Sequence, residues 1–229
     1  LKTQRFLSRL RVFAVLAMML ALSSQGAMLL PLSAQLSYDS PRNIILFYDD
    51  YPSRGDPQFQ VTSQVARPLV AHVDENGAPT DFMFDSFIFW SMWLYYTKKP
   101  TQKYISSWIS YLFDGKQVAN LDHTVADIKI ALNQPNYQMN VFLTVPVAFN
   151  DAKARSIQRN IDVLLSRWNM LNAKNLRLVG FYWGYTESAS PTYAPWFPTL
   201  VPQITGYLHS KGLKSLMIPY RHAYGYQQL

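Results

Sequence analysis

The chain alternates short, almost continuously apolar runs with longer stretches in which apolar residues recur every three or four positions. Six runs stand out, at 43–48, 68–73, 84–90, 139–146, 176–183 and 214–220. Runs that stay apolar on both alternations suit strands buried on both faces, as in a parallel sheet. The first is closed by Asp49-Asp50-Tyr51-Pro52 and the second by Asp74-Glu75-Asn76-Gly77, a strong turn signal. Between the runs, Ile105, Trp108, Ile109 and Leu112 predict a helix over 103–113 that stops at Gly115. Val118, Leu121, Val125, Ile128 and Leu132 repeat that spacing in the next segment. A helix over 152–171 carries Ile157, Ile161, Leu164, Leu165 and Trp168 on one stripe, with Asp151 near its N-cap. A fourth, over 196–209, contains Pro198 and Pro202 and ends before Lys211-Gly212, a C-terminal signal. No internal repeat, low-complexity stretch or domain linker interrupts the series.

Strand–helix alternation with buried strands predicts an α/β fold with right-handed crossovers, either an open doubly wound sheet or a closed (β/α)8 barrel. No glycine-rich phosphate loop follows the first run, which removes the usual support for a nucleotide-binding open sheet. The runs end in acids and aromatics, where a barrel keeps its chemistry. A TIM-barrel-like (β/α)8 domain is therefore expected. Five or six strands do not close it, and the 195 residues of 35–229 fall short of the ~250 typical of that fold. The pattern stops just after the sixth run, so the expectation is an incomplete barrel lacking its C-terminal part.

The first 34 residues have a different character. Lys2, Arg5, Arg9 and Arg11 come with no acid and precede an apolar run over 12–22. A charged segment and an apolar run of that length are the pattern of a secretory signal peptide and too short for the ~20 residues of a membrane span. Ser33-Ala34 and Ala27 are the candidate cleavage points. The competing reading is an uncleaved anchor extended through Met28-Leu29-Leu30, which Ser23-Ser24-Gln25-Gly26 interrupts. Residues 1–34 are thus expected to direct export, to the medium, periplasm or cell surface, and 35–229 to form the working domain. The opening Leu in place of Met fits an alternative start codon and a bacterial source. Export also changes the meaning of the charge. The net +7 of the chain falls to +3 over 35–229, where 17 cations face 14 acids. A nucleic-acid partner loses its electrostatic support, and no membrane partner is expected after signal cleavage.

The absence of cysteine excludes a disulfide scaffold, a thiol nucleophile and cysteine-based metal sites. His72, His123, His209 and His222 show no HxH or HExxH spacing, and there is no GxSxG, Walker or SxxK motif. Neither a metal nor a cofactor is expected. What remains is carboxylates and aromatics at strand ends, in a chain that is 15% aromatic. The segment Gly180-Phe181-Tyr182-Trp183-Gly184-Tyr185-Thr186-Glu187 is the sharpest case. Aromatic faces stack on sugar rings, and an apolar surround raises a carboxyl pKa until it can donate a proton near neutrality. Glu187 is either such an acid/base or a solvated loop acid, with Tyr182 and Trp183 in the core. Asp85, inside Phe84-Asp85-Ser86-Phe87-Ile88-Phe89-Trp90, either faces the barrel lumen near the site or is paired within the core, since leaving it buried alone costs several kcal/mol. Asp49 and Asp50 follow the first strand and are site acids or an ordinary turn. Tyr220, Arg221 and His222 end the sixth run as candidate ligands of sugar hydroxyls, and Arg221 equally suits a carboxylate at the rim. Trp90, Trp93, Tyr95 and Tyr96 form either a wall of stacking rings or an apolar plug.

The series Phe84-Asp85-Ser86-Phe87, then Trp108-Ile109-Ser110-Tyr111-Leu112-Phe113 with Gly115 and Leu121-Asp122, then Val179-Gly180-Phe181-Tyr182-Trp183 and Ile218-Pro219-Tyr220, resembles the DUF4855 family over roughly 44–224. That family groups bacterial extracellular proteins with the barrel glycoside hydrolases. The resemblance implies a glycosidase-like barrel and a carbohydrate setting. Members continue past the Ile-Pro-Tyr strand and place an acid soon after the Trp, whereas here Glu187 lies four residues beyond Trp183. The leading expectation is an exported barrel acting on a polysaccharide or oligosaccharide. Glu187 would be its general acid/base and Asp85 the partner carboxylate, at ~5–5.5 Å for a retaining or ~6.5–9.5 Å for an inverting enzyme. Asp49, Trp90, Tyr182, Trp183, Tyr185, Tyr220, Arg221 and His222 would bind substrate. The rivals are a non-catalytic glycan-binding or cell-envelope protein with the same aromatic cleft, and a non-functional barrel fragment with exposed sheet edges.

Overall fold

A computed structural model describes residues 41–49, 60–91, 101–148, 151–184 and 197–218. The chain divides at Ser40–Pro41 into two units, and all described residues belong to the second. Strand β1 (Ile44–Asp49) leads to helix α1 (Ser63–Val70), the short strands β2 (Ala71–Val73) and β3 (Pro79–Phe82), and β4 (Ser86–Ser91). Helices α2 (Gln102–Phe113) and α3 (Gln117–Ala131) precede β5 (Met139–Thr144). Helix α4 (Ala154–Leu171), β6 (Leu176–Tyr182), α5 (Phe197–Ser210) and β7 (Lys214–Leu216) complete the series. None of the described helices is long and apolar enough to cross a membrane.

The main sheet has five strands in the order β1-β4-β5-β6-β7, every neighbouring pair parallel. Its strands lie side by side in chain order, with no reversal. The fold is therefore mixed α/β around a parallel sheet, as the buried runs predict. β4 and β5 are covered at every position, which is why their sequences carry no hydrophobic alternation. Among the described residues the sheet is open, with β1 and β7 at its edges, and the eight-stranded closure expected from sequence is not seen.

The described helices share one side of this sheet. α1 packs on α3, α2 on both α3 and α4, and α4 on α5. The core residues of all five helices join Phe47, Phe87, Phe89, Val141, Leu143 and Phe181 in one cluster. Among the described residues, the opposite face carries a second cluster built of strand residues, with Ile88, Trp90, Phe142 and Tyr182 at its centre and Ile44, Leu46, Val179 and Leu216 around them. An extra residue in β6, Val179, shifts the register between Val141↔Leu178 and Phe142↔Gly180. That bulge sends Phe181 to the side of the described helices and Tyr182 to the opposite side.

One predicted strand is corrected. Residues 68–70 belong to α1, and only Ala71–Val73 are extended. The Thr62 hydroxyl accepts from Val65 N at 3.2 Å and starts the helix, and Ala66 and Val70 then fall on one buried side. Pro68 sits inside the helix, so the apolar stretch after it reads as a strand until the upstream cap is recognised. The Asp74–Gly77 turn forms as expected. The Asp74 carboxylate accepts from Asn76 N and Ala78 N, and the turn joins β2 to the unpredicted β3 in an antiparallel hairpin.

Candidate functional site

In a parallel sheet all strands present the same end, and the chemistry gathers there. The C-terminal edge of this sheet is formed by Asp49 of β1, Ser91 of β4, Thr144 of β5, Tyr182 of β6 and Leu216 of β7. Thr144 ties two of these strands together. Its hydroxyl donates to Phe89 O at 2.8 Å and accepts from Ser91 N at 3.2 Å. The ladder continues past the strand ends, with Val145 N donating to Tyr182 O and Trp183 N to Leu216 O, each at 2.9 Å.

Two sequence-proposed aromatics, Trp90 and Tyr182, belong to the cluster on the face opposite the described helices, near this edge, and are buried to 5% and 4% exposure. They form a packed layer under the strand ends. Trp90 reaches far enough to lie against Gly184, where an added methyl group would overlap the indole nitrogen, come within 2.9 Å of Cδ1, and touch the Thr144 methyl at 3.6 Å. Neither Thr144 nor Gly184 was expected as a site residue. The glycine that follows the Phe-Tyr-Trp strand end was the one readable signal.

Trp183 has a different place. It is fully buried in the helix-side cluster, and its indole nitrogen donates to Ser215 Oγ at 2.9 Å. Ser215 Oγ lies 3.0 Å from Thr205 Oγ1 of α5. A ring covered on both faces offers nothing to a sugar, so the proposed stacking platform does not include Trp183.

Asp85 is also corrected. It precedes β4 and sits at the N-terminal edge, where its carboxylate accepts from Arg42 N at 2.8 Å, Asn43 N at 3.3 Å and the Ser86 hydroxyl at 2.6 Å. The chain of polar contacts runs on across the sheet: Asn140 Nδ2 approaches Ser86 Oγ at 3.5 Å, and Arg177 donates to Asn140 Oδ1 through Nε at 3.1 Å and Nη2 at 2.9 Å. A six-residue strand spans about 20 Å, so Asp85 is separated from the C-terminal edge by more than the ~9.5 Å that the widest glycosidase pair allows. It stands neither in a lumen near the site nor in a core ion pair. It caps backbone.

Asp49 ends β1 at the C-terminal edge, aligned with Ser91; its side chain, and Tyr185, Glu187, Tyr220, Arg221 and His222, lie outside the described residues. Among the described residues no three metal-ligating side chains converge. A groove of about 240 Å3 lies between α2 and α4, lined by helix residues alone, including Gln102, Ser106, Asn160 and Arg167. It has no strand-end residue and is remote in kind from the edge described above.

The family model of DUF4855, a domain of unknown function, matches residues 43–159 and 148–229. The chain belongs to the DUF4855 family. Every described strand of the sheet and the five described helices fall within the matched residues, so the family match covers the sheet edge that carries the candidate site. Searches of the curated proteins and of the solved structures return no match.

Proposed function

We propose that this DUF4855 chain is an exported, glycoside-hydrolase-like protein that acts on a polysaccharide through carboxylate acid/base chemistry at the C-terminal edge of its sheet. One observation carries the reading: among the described residues the helices pack on one face, while the cluster on the other face is built of strand residues and holds Trp90 and Tyr182 close to that edge. Consecutive parallel strands with helices on one side are the arrangement from which a (β/α)8 barrel is built, and its strand-lined face becomes the lumen. Glu187, five residues after β6, is the general acid/base. With Asp85 at the far edge, Asp49 at the end of β1 takes the place of partner carboxylate. β1 and β6 are three strand spacings apart, about 14 Å across a flat sheet, and barrel curvature is what brings their ends within catalytic range. Tyr185, Tyr220, Arg221 and His222 supply glycan contacts, and residues 1–34 are the export signal.

The test is release of reducing ends from a panel of polysaccharides by the wild-type chain and by Glu187→Gln. The expected outcome is release by the wild type, a loss of about 10²–10⁴-fold in the variant, and glycan binding retained in both. Equal rates would overturn the assignment of Glu187. A second reading, a non-catalytic glycan-binding protein, is favoured by the placement of Asp85, which removes the partner acid that the sequence offered. Binding without release in the wild type would select it.

A further inference from the structure

We infer that the groove between α2 and α4 is a binding site for a carboxylate-bearing sugar, a uronic-acid unit; it is separate from the strand-edge site and does not rest on that site's assignment. The groove exists because of what the two helices present to each other. α2 packs on α4, yet along this seam α2 offers Gln102, Ser106 and Ser110, which recur every fourth position and so share one side of the helix. α4 answers with Asn160, Val163 and Arg167, spaced by three and then four. Packed helices ordinarily fill such a seam with interlocking apolar side chains. Serine is too short to fill it, and about 240 Å3 stays open over Ile109.

The lining differs from end to end. At one end Asn160 is 6% exposed, and its amide is joined to Gln102 in both directions. Gln102 Nε2 donates to Asn160 Oδ1 at 2.8 Å, and Asn160 Nδ2 donates to Gln102 Oε1 at 3.2 Å and to Pro146 O at 3.3 Å. That pairing uses one N–H and one lone pair of the exposed Gln102 amide and leaves one of each, which suits a hydroxyl that donates and accepts at once. At the other end, the Arg167 guanidinium lies 5.8 Å from the centre of the Phe113 ring and donates through Nη2 to Asp114. One of its five N–H groups is thereby used. The Asp114 carboxylate is exposed, so the pair is weak and a ligand carboxylate can share the fork or displace it. Asn160 and Arg167 are two turns apart, about 10 Å along the axis, which separates the hydroxyl-binding end from the carboxylate-binding end. Between them the exposed Ser106 and Ser110 bring hydroxyls, and Val163, 49% exposed, offers an apolar surface to sugar C–H groups. Lys103 and Arg159, next in sequence to Gln102 and Asn160, are exposed and add positive charge. A ring with one carboxylate among several hydroxyls matches this set. A neutral sugar leaves the guanidinium without an anion, and a bare anion leaves the amides and serines unused. The volume falls below the ~300 Å3 of the smallest ordinary ligand pockets, which limits the occupant to one sugar unit.

The test uses the full chain, with galacturonic acid as the probe, galactose as its neutral counterpart and an oligogalacturonate as the chain form. Binding is read at the groove itself, from the Arg167 Nε–Hε and Val163 methyl signals, assigned with Arg167→Gln and Val163→Ala. Galacturonate is expected to shift both signals saturably. Galactose is expected to bind about 10–100-fold more weakly, the range of a lost charge-assisted pair, and Arg167→Gln to weaken galacturonate by the same factor at the Val163 methyls. Asp114→Ala removes the competing carboxylate and is expected to tighten binding, an effect that a merely structural role for Arg167 does not produce. Ser106→Leu fills the groove and abolishes the shifts; where it fails to fold, Arg167→Gln and Asp114→Ala decide. Tighter binding of the oligomer identifies the unit as part of a chain, and equal binding identifies a free acid or a chain end. The absence of a saturable shift at both signals overturns the proposal. So do equal affinities for galactose and galacturonate, or weaker binding in Asp114→Ala. Glu187→Gln is expected to bind galacturonate in the groove as the wild type does, so failure of the acid/base reading and failure of the groove are seen separately.

Discussion

The carboxylate of Asp85 receives two backbone N–H groups and one hydroxyl, which is the work of a cap at the start of a strand. Replacing it with Ala leaves the Arg42 and Asn43 amides without their acceptor, and a lost charge-assisted set of this kind is worth about 1–3 kcal/mol. Asp85→Ala is accordingly expected to lower the urea midpoint while leaving the hydrolytic rate per folded molecule unchanged; a selective loss of rate at unchanged stability would return Asp85 to the active site. At this scale the sequence was legible in part. It marked Asp85 and Trp183 as unusual, an acid in an apolar run and an indole at a strand end. It left open which end of the strand Asp85 occupies, because strand boundaries carry no sharp signal in an apolar run. Nor could it assign the face of Trp183. The bulge at Val179 resets the alternation, and a one-residue shift exchanges the two faces of a strand.

Helix positions were the most readable elements, since α2, α4 and α5 all start within two residues of their expected starts and α3 spans all but the last of the apolar positions that predicted it. Their periodic stripes are long and their stops well marked. The α1–β2 segment was misread because its deciding feature, the Thr62 cap, lies upstream of the apolar stretch. Two element contacts lead to tests. Gly180 of β6 lies so close to β7 that a methyl group there would overlap the Lys214 carbonyl oxygen and come within 2.7 Å of its carbon. Gly180→Ala is expected to cost about 1–3 kcal/mol and to speed hydrogen exchange of the Trp183 amide, which is bonded to Leu216 O; unchanged exchange would mean that the strands absorb the methyl.

The second contact joins α4 to α5. The Tyr207 hydroxyl donates to Asp162 Oδ1 at 2.6 Å, and Lys211 Nζ lies 3.0 Å from the same oxygen. Burial pushes the Asp162 carboxyl up, but these two donors outweigh it and hold the pKa below 3.8. A carboxyl with a lowered folded pKa stabilises the fold above its unfolded value and loses that contribution as pH falls through the folded one. Wild-type chain should therefore exceed Asp162→Asn in stability at neutral pH by a modest margin, as the pair is half exposed. The margin should shrink below about pH 3.8. A margin independent of pH between 7 and 2 would contradict this account.

For the whole molecule, the parallel sheet and its helix layer follow from a pattern visible in the sequence, namely strands without alternation and helices with a single apolar stripe. The division of the described residues into a helix-packed face and an opposite face of strand residues was not visible, because both faces of β4 and β5 are equally apolar. That division supports the location of the site, with Asp49 and the end of β6 at one edge and the Asp85–Ser86–Asn140–Arg177 contacts at the other. The central claim is that sugar binds at the first of these edges, over Trp90 and Tyr182. A crystal structure of the full-length Glu187→Gln variant with a bound oligosaccharide tests it most directly. The account predicts sugar density at the C-terminal ends of β1, β4, β5 and β6, with the side-chain amide introduced at position 187 within hydrogen-bond reach of a glycosidic oxygen. Density confined to the N-terminal edge or the helix layer, with residue 187 turned away from it, would contradict the account.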